Sequence, residues 1–124
     1  NWQQRHWRSI KTAYQSAPFF DYYGMEVEEL LFNSEENFLM YNLNITKRIL
    51  KWIDIETTLI ATSSFQPVIE NDPRVMLTAK MKHQNFIPAP YIQVFPSKQS
   101  FTTNLSILDA IMCNGPLTRK LLMP

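Results

Sequence analysis

A chain of 124 residues with 45% hydrophobic and 19% charged side chains fits one globular domain and excludes a disordered protein. A formal net charge of +1, with Lys and Arg scattered rather than run together, offers no electrostatic footprint for nucleic acid, and no such partner is expected. No run approaches the roughly 20 apolar residues of a membrane-spanning helix, and the lone Cys113 allows no internal disulfide, which suits a reducing, cytoplasmic compartment.

The chain opens on Asn1-Trp2 and enters a helical pattern at once. Trp7, Ile10 and Tyr14 recur at i, i+3 and i+7 with Ala13 and Ala17 beside them, predicting an amphipathic helix over about 2–17. Asn1 suits its N-cap, because its side-chain oxygen can accept from the unpaired N–H groups of the first turn. Pro18 stops it, since the residue before a proline is pushed out of the α region. Large aromatics at a raw terminus have little to pack on, so sequence upstream of Asn1 is expected to be missing. The chain then reads as a single domain, or as the C-terminal part of a larger one. Phe19, Phe20, Tyr22 and Tyr23 form an aromatic connector, and Gly24 marks a turn. A second helix follows over about 25–32, with Val27, Leu30 and Leu31 on one face and Glu26, Glu28 and Glu29 near its positive end.

Asn33-Ser34 breaks that helix, and Ser34 with Glu35 and Glu36 starts the longest one, about 35–53. It carries two apolar stripes and only a narrow polar strip of Asn44, Lys47, Arg48 and Lys51. A helix so nearly apolar all round is expected to be buried. It reads as a central rod around which the aromatic N-terminal segment and the closing helix pack. Asp54 can take a left-handed cap conformation and end it. The β-branched residues of 57–64 predict one short strand. Residues 66–100 are Pro-rich and irregular, with at most a helical turn near 74–80 and a short extended piece over 91–95. The last clear helix covers about 104–113 and stops at Gly115-Pro116, and a final turn can form over 117–122. The fold class predicted is mainly α with minor β.

The chemistry is thin. With Gly24 and Gly115 the only glycines, neither a dinucleotide-binding fingerprint nor a Walker phosphate loop can be written. No C-x-x-C or H-x-x-x-H pair occurs, so neither a metal nor a cofactor is expected. His6, beside Arg5 and Arg8, reads either as a general base or as a histidine packed under Trp2. His83, in a polar loop with Lys80 and Lys82, reads as part of a solvated loop or, since loops carry function, as a functional residue. Ser106 and Asp109 share a helix face. They read either as part of a nucleophilic site needing a distant histidine or as a capping box opening the last helix. Tyr91, Gln93 and Phe95 alternate with Ile92 and Val94, giving one face the character of a sugar- or peptide-binding edge or of a half-buried strand. Trp2, Trp7 and Trp52 can stack on a sugar ring or fill a core.

Three segments together resemble the WbqC-like family of bacterial proteins. Trp2, His6-Trp7, Ile10, Tyr14 and Ala17-Pro18-Phe19-Phe20-Asp21-Tyr22-Tyr23 resemble that family's W-x-x-x-H-W…Y-x-x-(A/S)-P-F-F-x-Y-Y stretch. Pro90-Tyr91-Ile92-Gln93-Val94-Phe95 is similar to its P-Y-x-Q-V-F, and Phe101, Asn104 to Asp109 and Gly115-Pro116 to its F-x-P-N-L-S-I-x-D…G-P ending. The order and spacing suit the family's C-terminal portion. Its Q-P-x-Y-x-P-W and N-R motifs are absent, Thr103 replaces a proline, Ser100 a common glycine and Met112-Cys113 a common Phe-Asn. The resemblance implies a role in surface-polysaccharide (O-antigen) biosynthesis, with a glycine, aminoacyl or related group transferred to a sugar or glycan precursor. On that reading His6 is the base, Ser106 and Asp109 are further catalytic candidates, Gln93 and Asn104 position the substrate, and Tyr91 and Trp2 stack on it. The alternative is a non-catalytic interaction or scaffold module.

Overall fold

A computed structural model of the chain describes residues 1–68, 72, 74, 89–95 and 101–123. Its helices run α1 (Trp2–Tyr14), α2 (Phe20–Leu31), α3 (Phe38–Trp52), α4 (Ile107–Asn114) and α5 (Thr118–Leu122), with a 3-10 turn at Gly115–Leu117 joining the last two. Arg74 is helical; the rest of the turn expected near 74–80, most of the 66–100 segment and His83 lie outside the described residues. No helix among those described is long and apolar enough to cross a membrane.

Local chemistry explains most boundaries. The Asn1 side chain accepts from the Gln3 amide at 3.0 Å, capping α1 as expected. The helix ends at Tyr14 rather than near residue 17: a turn closes from the Ala17 N–H to the Tyr14 carbonyl at 2.8 Å, and Pro18 follows. The aromatic connector is itself helical. α2 starts at Phe20, and Gly24, expected to mark a turn, lies inside it and is buried. The Phe20 ring folds back over that glycine so closely that a β-carbon there would lie 3.1 Å from it. Trp7 stacks on the same Phe20 ring, with centroids 6.1 Å apart, tying α1 to α2. α3 begins at Phe38 instead of 35, because Asn37 and not Ser34 supplies the cap, accepting from the Met40 amide at 3.0 Å. Asp54 takes the left-handed conformation foreseen for it, with φ 53°.

Two expectations fail. Residues 57–64 pair with nothing and are almost entirely exposed, and no strand occurs among the described residues. β-branched residues suit a pleated surface only where a neighbouring strand supplies one, and here none does. The central rod fails as well. Along α3 only Trp52 is buried, while Phe38 is 81% exposed and Leu39 and Met40 stand open beside it. Hydrophobicity on every face gives a helix no reason to turn one face inward, so its burial depends on what its neighbours cover. Tyr41 and the middle turns are half-buried, with Trp2 against the Tyr41 ring, and burial is complete only at the last turn. Tyr23 meets Trp52 with ring centroids 5.2 Å apart, and one Glu26 oxygen accepts from Arg48 Nη1 at 2.6 Å and Trp52 Nε1 at 3.0 Å.

The core sits instead on α4, where Asp109 to Cys113 are buried in succession. Ile111 and Met112 are sealed against Ala17, Tyr23, Val27, Trp52 and Ile53. The N-terminal aromatic segment does dock on the closing helix. The Phe19 N–H donates to the Met112 carbonyl at 3.0 Å, and the Phe19 ring fills the space over Gly115. That residue has φ 55° and ψ −133°, a conformation that disfavours any side chain. A β-carbon there would meet the ring at 2.5 Å, so glycine is required twice over.

Candidate functional site

The chemistry-bearing residues gather where α4 begins. Ser106 is its N-cap, and its hydroxyl accepts from the Leu108 amide at 3.3 Å. A full capping box would have the Asp109 side chain reach back toward the start of the helix. It does not. The Asp109 N–H bonds the Ser106 carbonyl at 2.9 Å, while the carboxylate turns into the protein and is 0% exposed.

Segment 89–95 lies across α4 without regular structure and brings its side chains to that carboxylate. The Tyr91 hydroxyl donates to Asp109 Oδ2 at 2.7 Å, and Gln93 Nε2 reaches the same oxygen at 3.5 Å, the outer limit of a hydrogen bond. The Gln93 amide is mainly engaged elsewhere. It gives Nε2 to the Thr102 carbonyl at 2.8 Å and takes the Thr102 N–H on Oε1 at 2.9 Å. This two-point pairing locks the 91–95 segment to 101–103. Edge-on ring contacts, Tyr91 to Phe101 at 5.1 Å and Tyr14 to Phe95 at 6.2 Å, hold its two ends.

Asp109 also shapes the groups around it. Burial, with the charge and hydrogen-bonding pull of Asp109, pushes the Tyr14 hydroxyl up to about 12. Burial and the Asp109 bond raise Tyr91 as well, against a smaller lowering by the Gln93 amide. Cys113, one helical turn beyond Asp109, is raised by burial and by the Asp109 charge, and the Val94 backbone pulls it the other way. All three stay neutral at physiological pH. Asp109 Oδ1 itself has no hydrogen-bond partner.

Two hollows flank this cluster. One, of about 250 Å³, is lined by Tyr91, Phe101, Asn104, Ser106 and Leu121 among others. The second, of about 400 Å³, is lined by Ser16, Pro18, Ile92, Gln93, Val94, Cys113 and Asn114. A larger, open hollow of about 530 Å³ at the end of α3 mixes Lys47 and Lys51 with Asp54 and Glu56, and shares no lining residue with either.

Of the residues singled out from sequence, the structure brings Tyr91, Gln93 and Asp109 together and sets Asn104 and Ser106 on the rim of the smaller hollow with Tyr91. Asn104 holds φ 58°, a left-handed turn that asparagine tolerates better than most. Trp2 and His6 lie elsewhere. Their rings meet edge-on at 5.3 Å, Trp2 also meets Tyr41 of α3 at 6.2 Å, and His6 is exposed. Eight residues separate His6 from Tyr14, about 12 Å along the helix axis. Sequence reasoning passed over three members of the cluster. Tyr14 carries the pattern of an apolar stripe and of the Trp2–Tyr23 stretch, and neither marks it as a neighbour of Asp109. Cys113 stands four residues after Asp109, a spacing that puts both on one face. Thr102 takes part through its backbone, which leaves no signal in sequence. Among the described residues, no three His, Cys, Asp or Glu side chains converge as a metal ion requires.

Compared with known families, the chain matches the model of the WbqC-like protein family over residues 1–90. No curated protein and no solved structure gives a significant match. The matched stretch contains the Trp2–Tyr23 segment and stops at the start of the Tyr91 segment, so it covers the front of the chain and not its closing part. It spans most of the sequence, and the chain belongs to the WbqC-like family.

Proposed function

We propose that this WbqC-like chain acts in bacterial surface-polysaccharide biosynthesis, in the cytoplasm, as a group transferase whose glycan-precursor acceptor lies in the hollow beside Tyr91. The observation that supports this reading is that Tyr91, held by Asp109 and Gln93, lines a hollow of about 250 Å³ rimmed by Asn104 and Ser106. One sugar ring fits such a space. An aromatic face offers its apolar surface, and amide and hydroxyl groups meet its hydroxyls. Asp109 does not line the hollow. Its part is to fix the Tyr91 ring through the 2.7 Å bond, while Gln93 fixes the segment that carries the ring. Held geometry of this kind is what brings an acceptor hydroxyl or amine within reach of an activated group.

Transfer also needs a base, and the hollow's lining holds no histidine. His6 and Trp2 stand on a separate exposed patch. That separation is the specific observation favouring a second reading, a sugar-binding or scaffold module that performs no transfer itself. Comparing the surface glycan of cells lacking the gene with cells carrying variants tests both. Under the transferase reading, deletion, Tyr91→Ala and His6→Ala each alter the glycan while the variants remain folded. A glycan changed by Tyr91→Ala but untouched by His6→Ala supports the module. An unchanged glycan on deletion refutes both.

A further inference from the structure

Asp109 has neighbours that bond it but none that balance its charge. Tyr91 and Gln93 both approach Oδ2, Oδ1 has no hydrogen-bond partner, and Tyr14, whose hydroxyl also feels the hydrogen-bonding pull of Asp109, and Cys113 are neutral. The ion pairs among the described residues are Arg48–Glu26, Arg74–Asp72 and Arg119–Asp54, none of which involves Asp109. A fully buried carboxylate with neither a cation nor a full set of donors is costly, and proteins keep such a group where something else completes it.

Gln93 and Cys113 stand beside Asp109 and also line the hollow of about 400 Å³, which shares no lining residue with the sugar hollow. Ser16, Pro18, Ile92, Val94 and Asn114 complete that wall, and none of its side chains carries a charge. A ligand entering there meets no competing cation before the carboxylate. We propose that this second hollow is a binding site for a primary amine, whose ammonium passes between Gln93 and Cys113 and bonds Asp109 Oδ1. An ammonium is selected over a hydroxyl because a hydroxyl supplies the missing hydrogen bond but leaves the charge unbalanced. Entry costs the 3.5 Å contact of Gln93 Nε2 with Oδ2, the longest in the cluster, while the Thr102 pairing keeps the amide in place as one wall of the approach. This site is separate from the sugar hollow and stands or falls independently of it.

Propylammonium and its neutral isostere propanol are titrated at pH 7 into the isotopically labelled full chain, with the backbone amide resonances as the readout. Propylammonium is expected to shift the resonances of Gln93, Val94, Cys113 and Asn114 with an affinity at least tenfold above that of propanol, and Asp109→Asn removes the difference. Cys113→Val, which narrows the approach and leaves the carboxylate in place, serves if Asp109→Asn does not fold, and is expected to weaken propylammonium binding severalfold. Equal response to both probes overturns the proposal, as does a preference that survives Asp109→Asn or no response in this hollow. An ordered water on Oδ1 that propylammonium does not displace also overturns it. None of these outcomes bears on sugar binding beside Tyr91, which a parallel hexose titration reads separately.

Discussion

α3 and α4 are both rich in apolar residues, yet the longer helix stands largely in solvent while the shorter one is buried along most of its length. The difference lies in what surrounds them. α4 is enclosed by the Ala17–Phe19 turn, by α2 and by the Tyr91–Phe95 segment, and even its acidic residue is drawn inside. α3 is gripped most firmly at its C-terminal end, by Tyr23 and Glu26, and touched near its start by Trp2 on Tyr41. Apolar composition therefore sets how much a helix could bury, and neighbours set how much it does.

Truncating each helix tests the contrast directly. Met112→Ala removes a fully buried side chain, so it is expected to cost about 2–5 kcal/mol in urea denaturation. A cost under about 1 kcal/mol would mean that α4 is not the centre of the core. A second test sharpens the account of the α4 environment through pH. The Tyr14 hydroxyl titrates at about 12 in the folded protein against 10.0 in the unfolded chain. The unfolded chain thus loses this proton first, and the stabilisation, complete below pH 10, drains away as pH rises toward 12. Tyr91 is shifted in the same direction. The urea midpoint should fall through this window, and Tyr14→Phe should flatten the fall; an unaltered slope would place Tyr14 outside the Asp109 cluster. The smallest effect belongs to α3. Phe38→Ser, at an open position, should change stability by no more than about 0.5 kcal/mol. A larger loss would show that the start of α3 is covered after all.

Most features governed by neighbouring residues were legible in the sequence, although Asn37 rather than Ser34 caps α3. Asn1 caps, Asp54 turns left-handed, Gly115 closes α4, and Ser106 opens it as half of a capping box. Features governed by distant residues were not. Gly24 carries the same letter whether it turns the chain or accommodates the Phe20 ring, and only the packing of Trp7 on that ring decides. The threonines of 57–64 describe a strand that finds no partner among the described residues. At the site, the pairing of Tyr91 and Gln93 was visible in their alternation, and Asp109 was visible as a capping residue. Its inward turn was hidden, because the hydroxyl that draws it lies 18 residues away.

The seam between α2 and α3 has a practical consequence. The indole of Trp52 is buried and bonded to Glu26, whereas Trp2 is 47% exposed. An aqueous quencher added to the protein would extinguish Trp2 fluorescence early, reach the half-buried Trp7 next, and leave that of Trp52 as the most shielded remainder. Loss of that remainder would signal the parting of these two helices before the rest of the molecule unfolds.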